Sequence, residues 1–137
     1  MTQFYIGCKQ VLAWEVEKDG LPGYELKYES GLTKWSPKEA FENEYIAQGL
    51  DATRISQEMV DGLIASVTAQ RMNNTTVVQV MLRNGFSIIE ESSCVDPNNY
   101  DHELGTKLAV EKAKSKIWNL LGFLLATARN GVKYEST

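Results

Sequence analysis

Thiols are scarce in this sequence. Of 137 residues only Cys8 and Cys94 carry them, far apart and outside any CxxC spacing, which excludes a disulfide scaffold and a cysteine-built zinc finger. Both are expected as reduced, buried side chains that behave as small hydrophobes. Histidine is scarcer still, with His102 alone. No run approaches the roughly 18 consecutive apolar residues of a membrane span, and Met1 to Lys9 lacks the pattern of a secretory signal, so a cytoplasmic protein is expected. Positive charge is in deficit, with 14 Lys and Arg against 18 Asp and Glu and a net charge of −4. A generic duplex-binding protein needs a basic face to neutralise phosphates, so that class is set aside; a small anion held in a local basic pocket stays open. Gly20, Gly23 and Gly31 belong to turns and lack the Lys-Ser/Thr of a phosphate loop. There is no internal repeat and no low-complexity segment.

What is present suits one globular α+β domain over residues 1–137, for 43% of the residues are apolar and 23% charged. Three stretches follow one another: N-terminal strands and a short helix over 1–45, a helix and a β-hairpin over 46–91, and a polar turn with a long helix over 96–129. Strands are expected from Gln10 to Val16, from Tyr24 to Tyr28 and through Trp35, with turns at Asp19 to Gly23 and at Ser30-Gly31. Ser36-Pro37-Lys38-Glu39 reads as a capping box with Pro37 at the first helical position, opening a helix to about Tyr45. A second helix spans Ser56 to Ile64 with Met59, Val60, Leu63 and Ile64 inward. Alternation then sets in. Ala65 to Met72 turns at Asn73-Asn74 into Thr76 to Leu82, and Asn84-Gly85 is the strongest short hairpin signal, returning the chain with Phe86, Ile88 and Glu90 on one face.

Asp96 to Tyr100 breaks the pattern, and from Asp101 a helix runs to about Ala128, with Leu104, Leu108, Ala113, Ile117, Leu120, Leu121 and Leu124 as its stripe and Asn130-Gly131 as its stop. Its length of about 42 Å at 1.5 Å per residue exceeds the radius of such a domain. The expected fold is therefore α+β, an antiparallel β-sheet with short helices and one long C-terminal helix packing at a subunit interface, where Trp118, Phe123 and Leu125 lie off the main stripe.

Catalytic chemistry finds no complete set. Cys94 with His102 lacks the flanking sequence of a cysteine nucleophile, and Cys94 is expected among burying strand residues. Cys94, Asp96 and His102 supply no regular metal spacing, and no metal or cofactor is expected. Glu90 and Glu91 are neighbours on a strand and point to opposite faces, so they cannot act as a carboxylate pair. Asp96, Asp101 and Glu103 suit caps and helix ends, and His102 a solvated first turn. The constellation that favours binding is Asn84, Phe86, Ser92, Ser93, Asp96, Asn98, Asn99 and Tyr100, around the end of a hairpin and the start of a long helix. Backbone N–H groups there favour phosphate, Phe86 or Tyr100 offers a ring to a base, and amides and hydroxyls offer contacts to ribose. Lys107, Lys112, Lys114 and Lys116 follow, partly on a face free to meet an anion. The competing reading is turn chemistry beside a solvated lysine face.

The stretch Asn84-Gly85-Phe86 through Glu91-Ser92-Ser93-Cys94-Val95-Asp96-Pro97, with Asn99-Tyr100-Asp101, Leu104-Gly105 and Ala109 to Leu124, resembles the phage gene-forty-nine-like family. Gly23-Tyr24-Glu25-Leu26 and Trp35-Ser36-Pro37-Lys38-Glu39-Ala40-Phe41 resemble a segment common in the same phage proteins. That family includes Thoeris anti-defense sponges, which sequester cyclic nucleotide immune signals, notably glycocyclic ADP-ribose. The resemblance implies a non-catalytic homo-oligomer, a dimer or larger up to a hexamer, with ligand pockets between protomers, working in the cytoplasm of the infected bacterial host. It also implies separate sites for cyclic oligonucleotides, for which Arg54 in the polar connector is the candidate. Two other classes stay beside it: a protein that inhibits a host enzyme by direct binding, and a nucleotide-processing enzyme.

Overall fold

The computed structural model describes residues 1–133. The architecture is α+β, but the strands expected in one sheet divide into two antiparallel three-stranded sheets, accompanied in the described residues by three α-helices of which the last is long. Two compact units result, Met1–Ile46 with the chain from Phe123 on, and Ala47–Gly122.

In the first unit β1 (Leu12–Glu15), β2 (Gly23–Lys27) and β3 (Thr33–Pro37) form a sheet in the order β1-β2-β3. Helix α1 (Lys38–Glu44) follows directly. The expected capping box does not form: Ser36 is paired with Tyr24 in the sheet, and Pro37 takes the N-cap position with no side-chain bond to the helix. Strand pairing holds Ser36 away from the helix end, so a capping motif by sequence becomes the end of a strand. What secures α1 is a ladder of rings. Tyr24 stacks on Phe41 at 4.3 Å and Phe41 on Tyr45 at 4.8 Å, while the Tyr24 hydroxyl donates to Glu42 at 2.9 Å. Trp35 Nε1 donates to the Val16 carbonyl at 2.9 Å. Its indole lies over Gly23, where any Cβ would collide with the ring.

In the second unit Ser56 caps α2 (Gln57–Leu63), its hydroxyl accepting from the Met59 N–H at 3.1 Å. Next come β4 (Ile64–Met72), β5 (Thr75–Leu82) and β6 (Ser87–Ser93), ordered β4-β5-β6. Gly85 holds φ at +88° in the hairpin turn, the conformation that Asn84-Gly85 foretells. Phe86 belongs to that turn and not to the strand: its N–H donates to Asn84 Oδ1 at 3.0 Å and its carbonyl accepts from the Leu82 N–H at 2.8 Å. On one face of β5, Thr76, Val78, Val80 and Leu82 are buried with Ile88 and with Met59, Val60 and Leu63 of α2.

Helix α3 (His102–Asn130) lies across that face through its residues of this unit. Its buried positions are Ala109, Ala113, Ile117 and Leu121. The expected stripe is therefore only half right, because Leu104, Leu108, Leu120 and Leu124 are exposed. The reason is close approach. A Cβ added to Gly105 would run into the buried Thr76 side chain, so the first turns of α3 need small residues against the sheet, and leucines turn outward. Burying Ile117 and Leu121 contributes about 1.5–3 kcal/mol each, the two alanines less. The expectation of two buried thiols is also corrected, since Cys8 and Cys94 are half-buried and free.

Candidate functional site

A buried hydroxyl needs a partner, and Thr76, wholly buried at the end of β5, finds one in the Tyr100 hydroxyl at 2.7 Å. The same Tyr100 oxygen lies 2.9 Å from His102 Nδ1, so a chain of hydrogen bonds runs from the sheet to the first turn of α3. The Arg71 guanidinium covers the Tyr100 ring at 4.0 Å. Its Nε donates to the Asn73 carbonyl at 2.7 Å and its Nη2 to the Pro97 carbonyl at 3.2 Å. The loop between strand and helix is itself built from side chains. Asp96 accepts from the Asn98 N–H at 3.0 Å, opening one tight turn at Pro97–Asn99, and Asp101 accepts from the Leu104 N–H at 3.0 Å as the cap of α3. Ser93 and Thr75 share a hydroxyl bond of 2.7 Å, and Asn74 Nδ2 donates to the Cys94 carbonyl at 2.6 Å.

Six of the expected residues thus come together at one end of the second sheet: Ser92, Ser93, Asp96, Asn98, Asn99 and Tyr100. Asn84 and Phe86 do not join them. They lie at the other end of β6, whose seven residues span about 20 Å at about 3.4 Å each. Phe86 is 57% exposed, so it is no part of the core.

The lysine face is less free than its sequence suggests. Lys112 Nζ donates to the Glu91 carbonyl at 2.8 Å, Lys114 pairs with Asp61 at 2.9 Å, and Lys116 pairs with Glu90. These contacts tie α3 to β6 and to α2; Lys107 stands exposed. The Lys114 hydrogen bond, helped by Gln57, holds the Asp61 carboxyl below the usual carboxylate range. Arg54 sits in a folded connector, its guanidinium 4.0 Å from Asp51, where Gln48 Nε2 gathers the carbonyls of Asp51, Ala52 and Arg54.

Arg71, Thr76 and the bonded role of His102 escape a reading of the sequence. For Thr76 and Arg71 the deciding partners lie far along the chain, 24 positions from Thr76 to Tyr100 and 26 from Arg71 to Pro97, and no local pattern marks such a pair; His102 is two positions from Tyr100, but only the fold turns its ring to that hydroxyl. A polar residue at an inward position of β5 is the one available sign. Cys94 and His102 do not meet as a pair, for Cys94 Sγ contacts the Asp96 carbonyl at 3.3 Å while His102 turns to Tyr100. Among the described residues no group of three or more His, Cys, Asp or Glu is arranged to hold a metal ion, and no helix is long and apolar enough to cross a membrane. An open cleft of about 460 Å³ lies in the first unit, between Leu21-Pro22 and Pro37, Lys38 and Glu42, and none of the expected binding residues lines it.

The segment that carries this polar cluster is also the one that matches a known group. The profile of the phage protein (N4 Gp49/phage Sf6 gene 66) family covers residues 54–129, more than half of the chain. The chain belongs to this family. The Gp49/gene 66 span takes in α2, the whole second sheet, the Asp96 to Tyr100 turn and α3 as far as Arg129, and so contains every expected binding residue. The likeness drawn for Gly23 to Phe41 lies outside it. No curated protein and no solved structure gives a significant match.

Proposed function

We propose that this Gp49/gene 66 family protein is a phage anti-defense sponge of the Thoeris anti-defense kind, which binds cyclic nucleotide immune signals of the glycocyclic ADP-ribose type in the infected host cytoplasm and releases them unaltered. The observation that carries the reading is Phe86, an exposed ring on a backbone fixed at both N–H and carbonyl, held out of the core where it has no packing duty. One base stacked on such a ring is worth about 1–3 kcal/mol. The Ser92 to Tyr100 turn supplies hydroxyls, amides and backbone N–H groups for riboses and phosphates, and Lys107 and Lys112 add positive charge along α3. Because Phe86 and that turn stand about 20 Å apart along β6, a ligand touching both takes the ring from one protomer and the turn from another. Pockets between protomers of a homo-oligomer follow, with Arg54 reserved for a second site that takes cyclic oligonucleotides. No cofactor, duplex nucleic acid or membrane enters this reading.

Incubation with glycocyclic ADP-ribose, removal of free ligand, heat release and chromatography should return the input compound. Failure to retain it ends the proposal, and a new product moves the protein to the enzymes. A second reading has its own support. Phe4, Tyr5 and Ile6 are 102%, 84% and 96% exposed, a run of apolar side chains that suits direct binding to a host protein. Loss of a captured host enzyme on Phe4→Ser with Ile6→Ser, with nucleotide binding absent in the parent protein, would favour it.

A further inference from the structure

Sheets that end in open strands are templates for another chain, and proteins protect such edges with short length, charge, proline or a covering side chain. Three of the four edges here carry such a device. β1 has only four residues, β3 carries Lys34 and ends on Pro37, and β6 bears Glu90 and Glu91 with Lys112 seated on the Glu91 carbonyl. The fourth is bare. β4 is nine residues long, has no proline, and pairs with β5 alone among the described strands. Its one charge, Arg71, is turned to the Asn73 and Pro97 carbonyls and the Tyr100 ring. Its one irregularity falls at its start, between Ile64 and Ser66.

We infer that the free edge of β4 pairs antiparallel with β4 of a second copy of this chain, across a two-fold axis at Thr68, to make one continuous six-stranded sheet. The strand is self-complementary about that residue. Val67 faces Ala69 of the partner subunit, Arg71 faces Ala65 of the partner subunit, and Thr68 faces itself, so no like charges oppose each other. Val67, which shares the core face with Val80 but is 40% exposed in one chain, gains an apolar neighbour on that face. The dimer stands on this edge alone. A consequence for ligand rests on the proposed function: antiparallel pairing brings the Asn84 to Phe86 turn of one copy to the same end of the sheet as the Asp96 to Tyr100 turn of the other, whereas in one chain the two turns lie at opposite ends.

The test is sedimentation of the full chain at micromolar concentration without any ligand, so that its outcome says nothing about nucleotide binding. The wild type should run at twice the chain mass or a multiple of it. Thr68→Lys and Thr68→Glu, at an exposed position, should each keep the melting temperature of a folded monomer while weakening association at least tenfold, and an equimolar mixture of the two should restore it. A monomeric wild type, or a Thr68→Lys protein that associates as the wild type does, overturns the inference. Should either variant fail to fold, amide exchange on the wild type decides: protection across Val67 to Arg71 that falls on dilution supports the edge pairing, and protection independent of concentration refutes it.

Discussion

The two units of this chain are held together by different chemistry. In the second, aliphatic side chains from α2, β5, β6 and α3 are buried against one another, with Ile117 and Val78 fully enclosed. In the first, Leu26 is the one apolar residue buried to that degree among the described residues, and the helix is retained by half-exposed rings, Tyr24 on Phe41 on Tyr45. An enclosed aliphatic residue leaves a cavity when it is truncated, whereas a ring stacked at the surface leaves a gap that water fills. The packed unit is also the one that carries the polar turn and the family match, and its enclosed core offers the rigidity on which the proposed ligand site depends.

Truncation should expose this difference most strongly. Ile117→Ala should cost about 2–5 kcal/mol in denaturant unfolding, and Phe41→Ala markedly less, near the about 0.5–1.5 kcal/mol of an aromatic pair with its modest buried area. A Phe41 cost equal to that of Ile117 would break the comparison. Next in size is Tyr100→Phe, which leaves the enclosed Thr76 hydroxyl without its partner and should cost about 1–3 kcal/mol, while Thr76→Val with Tyr100→Phe together should recover part of that loss. Full additivity of the two changes would show that their hydroxyls do not depend on each other.

Phe86→Ala should change stability by less than about 1 kcal/mol, because the ring is exposed, yet weaken nucleotide binding about 5- to 150-fold. A large drop in melting temperature would return Phe86 to a structural role. The smallest effect concerns acid. Lys114 holds the Asp61 carboxyl below its ordinary 3.8, so the pair's contribution is present at neutral pH and fades as pH falls below about 4. The difference in melting temperature between wild type and Lys114→Met should accordingly be small at pH 7 and shrink further as pH falls below about 4; a difference that grows in acid would contradict the pairing.

Local chemistry made much of the fold legible. Asn84-Gly85 gave its hairpin and Asn130-Gly131 its helix end, since a single residue's backbone preference decides each. Register against a distant partner was not legible. In the α3 stripe Ala113, Ile117 and Leu121 are buried as expected but Leu104 and Leu108 are not, because the sheet meets the first turns at Gly105 and Ala109, and the hydrophobicity of a residue does not reveal how close a neighbour will come. Ser36 shows the same limit, because its capping box competed with strand pairing to Tyr24 and lost. For the site, the Asp96 to Tyr100 turn stood out by its composition. Arg71 and Thr76 did not, and the separation of Phe86 from that turn needed the length and direction of β6.

The proposed sponge holds a cyclic nucleotide signal without changing it. Calorimetric titration of glycocyclic ADP-ribose into the wild-type protein, followed by heat release and mass spectrometry of the bound compound, tests it most directly. A sponge should show saturable binding, a stoichiometry tied to protomer pairs, and recovery of the ligand at its original mass. No heat of binding, or a time-dependent product of different mass, would contradict it.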